Sequence, residues 1–147
     1  MPRAVIALGS NQGLREEALS NAREAIAALP GTRVLKAARR YETAPVDVPP
    51  QFAHLTFLNS ALLVETALSP EALLAALLGI EAGAGRVRTL RNGPRPIDLD
   101  LILYEGEARA TPSLTLPHPR AHLRAFVLQP LADLGITRAD LLANRIP

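Results

Sequence analysis

The sequence has 147 residues, of which 48% are hydrophobic and 20% are charged, a balance typical of a folded globular domain. It has no cysteine, which excludes disulfides and cysteine-ligated metal sites, and no apolar run approaches the ~18 residues that a membrane-spanning helix needs. The net charge is +2 and aromatic residues make up only 3%, which argues against a nucleic-acid surface built on base stacking. We therefore expect one cytoplasmic domain over residues 1–147, with neither nucleic acid nor membrane as its partner.

The sequence pattern predicts alternating strands and helices. Strands are expected at residues 3–9, 32–42, 56–66 and 98–104, and helices at 14–29 and 69–84, followed by a turn at Gly106, an irregular stretch at 112–119, a helix at 120–132 and a short helix after Thr137. This order is that of the α+β ferredoxin-like βαββαβ sandwich with a mainly antiparallel sheet. Its helices would cover one face, which leaves the C-terminal helical segment and two long loops, at 43–55 and 85–96, to cover the other.

Two aspartates one residue apart open the last predicted strand. Side chains at positions i and i+2 of a strand point to the same face, with about 6.6 to 7 Å between their Cα atoms, so Asp98 and Asp100 can reach the same one or two hard cations. Strict alternation predicts that Ile102 and Tyr104 continue the aspartate face and that Leu99, Leu101 and Leu103 form the opposite one. Two such acids repel each other without a counter-ion, which favours a metal site over the alternative of a solvated edge strand.

Four arginines and no acid lie in residues 86–95, immediately before this strand. They are Arg86, Arg88, Arg91 and Arg95, and their planar guanidinium groups suit phosphate oxygens. Carboxylate, magnesium, phosphate and arginine together are the components of phosphoryl transfer. The sequence has no Gly-x-x-x-x-Gly-Lys-Ser/Thr phosphate loop, so arginine and metal would have to neutralise the charge of a nucleotide.

Segments spread over most of the chain resemble one enzyme family. They are Ala7-Leu8-Gly9-Ser10-Asn11, Tyr41-Glu42-Thr43-Ala44-Pro45, Phe57-Leu58-Asn59, Ile80-Glu81, Gly85-Arg86-Val87-Arg88, Gly93-Pro94-Arg95-Pro96-Ile97-Asp98-Leu99-Asp100, Leu116-Pro117-His118-Pro119-Arg120 and Arg124-Ala125-Phe126-Val127-Leu128. In this order they resemble the 6-hydroxymethyl-7,8-dihydropterin pyrophosphokinases of folate biosynthesis. The resemblance implies that the β,γ-diphosphoryl group of ATP is transferred to the hydroxymethyl oxygen of the pterin, with release of AMP.

The resemblance also implies a role for each matching residue. Arg86, Arg95, Asp98 and Asp100 would be catalytic, and the two aspartates would hold two Mg²⁺ ions that bridge the triphosphate. Thr43, Ala44, Val46, Phe57, Asn59 and Phe126 would bind the pterin. Glu81, Arg88, Arg91, Leu101, Thr115, His118 and Arg124 would bind ATP, although Glu81 could equally have a structural role. The partners implied are the two substrates, ATP and 6-hydroxymethyl-7,8-dihydropterin.

Four positions depart from the pattern that members of this family often show, namely Leu78, Asn92, Ser113 and Pro119. All four fall on the implied ATP side, so they bear on nucleotide affinity rather than on the metal pair. Two other classes of protein remain as alternatives. A two-metal nucleotidyl cyclase, polymerase-palm or nuclease-like domain would need a third carboxylate, for which Glu65 is the candidate. An RNA-binding module of the same topology would need exposed aromatic residues in its middle strands, and the sequence has no such run.

Overall fold

The computed structural model describes residues 1–45, 49–84 and 96–147. Its strands are β1 (Arg3–Ser10), β2 (Thr32–Ala37), β3 (Tyr41–Thr43), β4 (Phe57–Thr66), β5 (Asp98–Tyr104), β6 (Arg109–Ala110) and β7 (Thr115–Leu116). Its helices are α1 (Arg15–Ala27), α2 (Pro70–Gly83), α3 (Ala125–Asp133) and α4 (Arg138–Leu142), with short 3-10 turns at Pro50–Phe52 and Ala121–Leu123. Within these ranges, no helix is both long enough and apolar enough to cross a membrane.

The main sheet has the strand order β2–β4–β1–β5, and β3 extends it along β4 beyond the end of β2. Every pairing in this sheet is antiparallel. β6 and β7 form a separate two-stranded ribbon. The fold is therefore α+β with a mainly antiparallel sheet, as the order of the predicted elements indicated.

Helices cover both faces of the main sheet. The first face packs against α1 and α2 through a core that includes Ile6, Leu8, Leu19, Ile26, Leu62, Leu73 and Leu77. The second face packs against α3, α4 and the last residues of the chain through Val5, Leu63, Val127, Leu131, Leu141 and Ile146. The C-terminal segment thus covers the second face, as predicted, while the loops predicted at 43–55 and 85–96 fall partly outside the described residues.

Local signals mark the start of α2 and the turn after α1. Ser69 caps α2, because its hydroxyl accepts a hydrogen bond from the Ala72 N–H at 3.1 Å and Pro70 takes the first helical position. Gly31 has a φ of 59° in the turn between α1 and β2, a conformation that glycine adopts at little cost.

Two elements that the sequence predicts as continuous are divided. The strand predicted at 32–42 becomes β2 and β3, because the N–H of Arg39 donates to the carboxylate of Asp133 at 2.9 Å instead of joining a strand ladder. The helix predicted at 120–132 begins only at Ala125, because Arg124 is extended, with φ −115° and ψ 108°, and serves as the N-cap of α3.

A β-bulge in β5 interrupts its alternation. Ile6 of β1 lies opposite Leu101 and Val5 lies opposite Leu103, so Ile102 is an extra residue on β5. A bulge of this kind leaves one residue unpaired and changes the direction of the side chains that follow it. Accordingly, Leu101 packs under α1 and α2, whereas Ile102 and Leu103 both pack against the C-terminal helices.

The bulge makes two of the predicted side-chain directions wrong. Leu103 lies on the face of Ile102 rather than on that of Leu99, and Tyr104 packs in the α1–α2 core, where its hydroxyl donates to the carbonyl of Leu68 at 2.5 Å. Asp98 and Asp100 precede the bulge, and Leu99 between them lies in the α1–α2 core. The two aspartates therefore share the opposite face, as their spacing predicts.

The carboxylate of Asp133 gives the fold a pH-dependent contribution. Hydrogen bonds from the Arg39 side chain, the Arg39 N–H and the Tyr41 hydroxyl lower the pKa of Asp133 from 3.8 to about 2. A carboxyl with a lower pKa in the folded than in the unfolded state stabilises the fold above the unfolded pKa, and this contribution is lost as the pH falls toward the folded pKa. We therefore expect the stability difference between wild type and Asp133→Asn to be constant from pH 7 to pH 5 and to shrink below about pH 4. Urea denaturation midpoints at pH 7, 5, 4 and 3 measure it, and an undiminished difference at pH 3 would contradict the expectation.

Candidate active site

The strand register brings predicted site residues together on the face that α3 covers. Asn59 of β4 is directly opposite Gly9 of β1, and Gly9 is opposite Asp98 of β5. Residues opposite each other in an antiparallel pair point to the same face, so these three form one row across the sheet. Two strand spacings separate the ends of the row, which puts the Cα atoms of Asn59 and Asp98 about 10 Å apart. Asp100 lies in the next row, opposite Ala7.

The floor between the two ends of this row carries only small side chains. Gly9 lies in its middle, and in the next row Ala7 is opposite Ala61. A Cβ atom at Gly9 would lie 3.1 Å from Oδ1 of Asn59 and 3.6 Å from Cδ1 of Phe57, so both side chains border the glycine closely. Because Gly9 has no side chain, the sheet surface is lowest between Asn59 and Asp98, and we call this place the depression; Ala7 and Ala61 belong to the core that α3 covers.

The amide of Asn59 is held in a fixed orientation. The residue is 5% exposed, and Nδ2 donates to Oγ1 of Thr43 at 2.6 Å. Oδ1 is therefore the atom that faces Gly9 and offers an acceptor to the depression. Phe57, which is opposite Thr43 in the register, is half-buried on the same face. A flat ring could thus lie against Phe57 while its polar edge meets the amide.

Arg15 ties together both ends of the connection between β3 and β4. From the start of α1, its guanidinium donates to the main-chain and side-chain oxygens of Thr56 at 3.0 and 2.9 Å, and to Oε2 of Glu42 at 2.6 Å. Glu42 immediately precedes Thr43, and Thr56 immediately precedes Phe57. This one cation therefore fixes the wall that carries Thr43 and Phe57.

The first turn of α3 lies over the same face of the sheet. Phe126 packs, half-buried, against the core of this face. The guanidinium carbon of Arg124 lies 5.7 Å from the centroid of the Phe126 ring, which is within the range of a cation–π contact. The turn thus brings an aromatic ring and a positive charge to the site.

His118 connects β5 to this charge. The main-chain N–H of His118 donates to the carbonyl of Ile102 at 2.9 Å, and Nδ1 of its imidazole accepts from the main-chain N–H of Arg120 at 3.2 Å. Burial, and after it the charges of Arg124 and Arg120, lower the pKa of His118, while the charge of Asp98 opposes this change. The imidazole is therefore neutral near pH 7, and because Nδ1 accepts, its proton is on Nε2.

Glu81 supports the aspartate strand from α2. The residue is 2% exposed, and Oε2 accepts the main-chain N–H of Leu99 at 2.7 Å. Leu99 lies between Asp98 and Asp100 on an edge strand, so this bond fixes the main chain at the aspartate pair. The contact corresponds to the structural role that the sequence left open for Glu81, and its contact with ATP stays a prediction.

The aspartate pair has the chemistry of a magnesium site. Asp98 and Asp100 are both half-buried. In the ranges that the structure describes, no group of three or more histidine, aspartate or glutamate residues is arranged to hold a metal ion. Mg²⁺ commonly binds proteins through one or two carboxylates and takes its other ligands from phosphate and water, so two carboxylates fit this ion.

The other predicted site residues are spread more widely. Val46, Arg86, Arg88, Arg91 and Arg95 lie outside the described residues, as does Asn92. Leu101 is buried in the α1–α2 core, so its side chain lies on the face away from the aspartates. Thr115 is exposed in β7, and Ala44 is exposed directly after β3. Leu78, Ser113 and Pro119 are exposed as well.

Two residues that shape the site were not predicted. Gly9 belongs to a segment that carried the family resemblance but received no role, because only the strand register places it between Asn59 and Asp98. Arg15 reads in the sequence as an ordinary charge at the start of a helix, and its partners Glu42 and Thr56 are distant along the chain. Neither position has a local signal that could have revealed its contacts.

Comparison with known proteins identifies relatives that match most of the chain. The family model described as 7,8-dihydro-6-hydroxymethylpterin-pyrophosphokinase (HPPK) matches residues 5–136. A 2-amino-4-hydroxy-6-hydroxymethyldihydropteridine pyrophosphokinase of Methylorubrum extorquens is 45% identical over 135 residues, which cover 92% of this chain and 84% of the relative. The protein of the same name from Bacillus subtilis is 44% identical over 134 residues, which cover 89% of this chain and 77% of the relative.

Solved structures share the fold. The crystal structure of an HPPK-DHPS in complex with substrates covers 90% of this chain with a TM-score of 0.65 at 13% identity. Plasmodium falciparum HPPK-DHPS covers 91% with a TM-score of 0.63 at 14% identity, and this chain spans 40% of the length of each of those two structures. These two similarities concern the fold alone, whereas the family model and the bacterial relatives go further: the chain belongs to the 7,8-dihydro-6-hydroxymethylpterin-pyrophosphokinase family.

Proposed function

We propose that the depression and the aspartate pair are the two halves of one active site. The chain is an ATP-dependent pyrophosphokinase of folate biosynthesis, which transfers the pyrophosphoryl group of ATP to hydroxymethyldihydropterin. The observation that carries the proposal is the row Asn59–Gly9–Asp98, because it sets a hydrogen-bonding amide and a carboxylate at the two ends of a floor about 10 Å long. A pterin held at Asn59 would direct its hydroxymethyl group toward the aspartates.

On the pterin side, the ring would lie between Phe57 and Phe126 with its polar edge at Asn59. Oδ1 of Asn59 would accept from N–H groups of the ring, because the bond from Nδ2 to Thr43 leaves Oδ1 facing Gly9. Thr43, Ala44 and Val46 would complete the recognition of the edge with hydroxyl and main-chain groups. The glycine at position 9 supports this arrangement, since the missing side chain lets a ring approach the sheet closely.

Asp98 and Asp100 would hold Mg²⁺, and we expect two ions when ATP is bound. When bound, Mg²⁺ neutralises charge on the triphosphate and aligns it for attack by the hydroxymethyl oxygen. The contribution of this chain is to keep the two carboxylates on one face at a fixed place. The bond from the Leu99 N–H to the buried Glu81 supports that role.

On the ATP side, side chains would supply positive charge and hydrogen-bond donors. The neutral His118, whose pKa responds to both Arg124 and Asp98, would donate its Nε2–H to a phosphate oxygen. Further ATP contacts are proposed for Glu81, Arg88, Arg91, Thr115 and Arg124, and for Leu101 through its main chain, since its side chain is buried in the α1–α2 core. Arg86 and Arg95 are proposed to stabilise charge on the transferred group. The oxygen of the pterin would attack the β-phosphorus, the bond from that phosphorus to the α,β-bridging oxygen would break, and AMP would leave.

We also propose that residues 1–147 form one cytoplasmic domain with the ferredoxin-like arrangement. The element order β1–α1–β2–β4–α2–β5 and the sheet order β2–β4–β1–β5 support this arrangement. β3 and the C-terminal helices would then be additions that carry parts of the pterin wall.

The nucleotide product tests the proposed chemistry. The purified chain is mixed with Mg²⁺, ATP and 6-hydroxymethyl-7,8-dihydropterin, and the products are separated by ion-exchange chromatography. We expect AMP and the pterin diphosphate in equal amounts, and no AMP without the pterin. ADP as the product would contradict the position of attack, and turnover independent of the pterin would contradict the substrate.

Gly9→Ala tests the floor of the depression. The new Cβ would lie 3.1 Å from Oδ1 of Asn59, so the amide would have to shift by a few tenths of an ångström from its place at the pterin edge. We expect the KM for the pterin to rise about tenfold while the KM for ATP stays the same. Steady-state kinetics with each substrate varied in turn measure both values.

Gly79→Ala is the matched control for this change. Gly79 lies in α2, and a Cβ atom there would meet nothing within 4 Å. We expect its kinetics to equal those of the wild type. An unchanged pterin KM in Gly9→Ala, or an equal rise in both variants, would contradict the placement of the ring over Gly9.

A further inference from the structure

A single carboxylate joins the end of α3 to the segment that leads into β3. The side chain of Asp133 accepts the main-chain N–H of Arg39 at 2.9 Å and the Tyr41 hydroxyl at 2.8 Å. It also accepts the guanidinium of Arg39 at 3.2 Å, and that guanidinium lies 5.7 Å from the centroid of the Tyr41 ring. The side chain of Asp133 is 17% exposed, whereas that of Arg39 is 81% exposed. The Asp133 carboxylate is thus mostly shielded from solvent where it accepts the Tyr41 hydroxyl and the Arg39 main-chain N–H, whereas the Arg39 guanidinium is exposed.

The two elements that Asp133 joins carry opposite sides of the proposed pterin pocket. On β3, Tyr41 is opposite Asn59, and Thr43, which holds the Asn59 amide, follows two residues later on the same strand. On α3, Phe126 lies about two helical turns before Asp133 and therefore on the same side of the helix. This contact adds to the packing of Val127 and Leu131 in setting how far the α3 wall lies from the β3–β4 wall.

Both elements have features that make such a contact important to their position. β3 has three residues and pairs only with β4 along the described strands. α3 contains Pro130, which has no N–H, so the carbonyl of Phe126 lacks its usual main-chain donor in the helix. A short strand and an interrupted helix depend more on tertiary contacts than long regular elements do.

We propose that Asp133 is a positioning residue for the pterin, acting through Tyr41 and the Arg39 main chain to set the width of the pocket between Asn59 and Phe126. This inference rests on the pterin site proposed above. An isolated exposed ion pair with Arg39 would contribute little, because solvent screens it. The bonds from the main chain and from the tyrosine are different, since they place the backbone that leads directly to Thr43.

Substrate binding in the full chain tests this role. The dissociation constant of 6-hydroxymethyl-7,8-dihydropterin is measured by calorimetry with Mg²⁺ and a non-hydrolysable ATP analogue, and that of the analogue is measured alone. For Asp133→Asn we expect the pterin dissociation constant to rise about tenfold and that of the analogue to change less than about twofold. Tyr41→Phe is expected to act in the same direction, and its effect should not add to that of Asp133→Asn. Asp133→Glu should restore part of the affinity.

Asp140→Asn separates positioning from general loosening of the fold. Asp140 is a 4% exposed carboxylate in the capping box of α4, bonded to Thr137 and to Arg145, and it touches neither pocket wall. We expect it to lower the urea midpoint without changing the pterin dissociation constant. An equal loss of pterin affinity in Asp133→Asn and Asp140→Asn would overturn the inference.

Asn59→Ala in the same titration distinguishes the inference from the site on which it rests. If Asn59→Ala abolishes pterin binding while Asp133→Asn leaves it unchanged, the pocket stands and the positioning role is wrong. If neither variant changes pterin binding, the proposed pocket itself is wrong, and the inference falls with it.

Discussion

Asp98→Asn and Asp100→Asn are each expected to lower the rate of pterin-dependent AMP formation by about 10²- to 10³-fold. Asparagine preserves the size of the side chain but removes the negative charge that a divalent cation needs. The register that places both residues comes from main-chain pairing with β1, so the fold should persist. Single-turnover rates, the Mg²⁺ concentration at half-maximal rate and the circular dichroism spectrum of each variant test this. Wild-type rates in both variants would remove the metal assignment.

Glu65→Gln is the matched control for the aspartate variants. Glu65 is the third carboxylate that a polymerase-like two-metal site would need. It is opposite Arg3 on β1, whereas Asp98 is opposite Gly9 on the same strand. About 20 Å along β1 therefore separates Glu65 from the row that contains Asp98. We expect the variant to retain full activity. A loss equal to that of Asp98→Asn would instead favour a three-carboxylate site.

The main elements were predictable because independent local signals agree at their ends. α2 is the clearest case, since Ser69 and Pro70 are both start signals and the structure uses both. The aspartate pair was predictable for a similar reason, as the period of two in a strand places Asp98 and Asp100 on one face without any knowledge of neighbouring strands. Local periodicity therefore established both the strand and the shared face of its acids.

The rest of the fold depends on pairing that local periodicity does not contain. The bulge at Ile102 is defined by which residues of β1 it falls between, and nothing in the run Asp98–Tyr104 marks it. The division of β2 from β3 depends on Asp133, which is remote in sequence from Arg39. In each case a contact between distant segments overrides the local preference.

The same distinction applies to the site. Resemblance to the family indicated Phe57 and Asn59, because they lie in a motif that can be recognised in one segment. The place of Gly9 next to Asn59 follows only from the strand register, and the contact of Arg15 with Thr56 follows only from long-range hydrogen bonds. The residues that we propose to shape and hold the pocket are therefore harder to predict than those proposed to contact the substrate, since their importance comes from their neighbours.

Asn59→Ala is expected to lower kcat/KM for the pterin by about 10²-fold, through loss of two or more hydrogen bonds at the ring edge. Thr43→Val should cost about tenfold, because the valine side chain keeps the shape of threonine but no longer accepts Nδ2, which leaves the amide free to rotate. In both variants the KM for ATP should stay the same. Initial rates with the pterin varied at saturating ATP measure these effects.

Ser60→Ala is the matched control on the same strand. Ser60 follows Asn59 directly, is similarly buried, and donates to the carbonyl of Ala38 at 3.0 Å, but it points to the opposite face. If the loss in Asn59→Ala came from weakening β4, then Ser60→Ala should reproduce it. If it comes from the amide, Ser60→Ala should leave the pterin kinetics unchanged and Thr43→Val should fall between the two. That ordering is specific to a pocket in which Thr43 orients Asn59 and Asn59 meets the substrate, and a different ordering would contradict it.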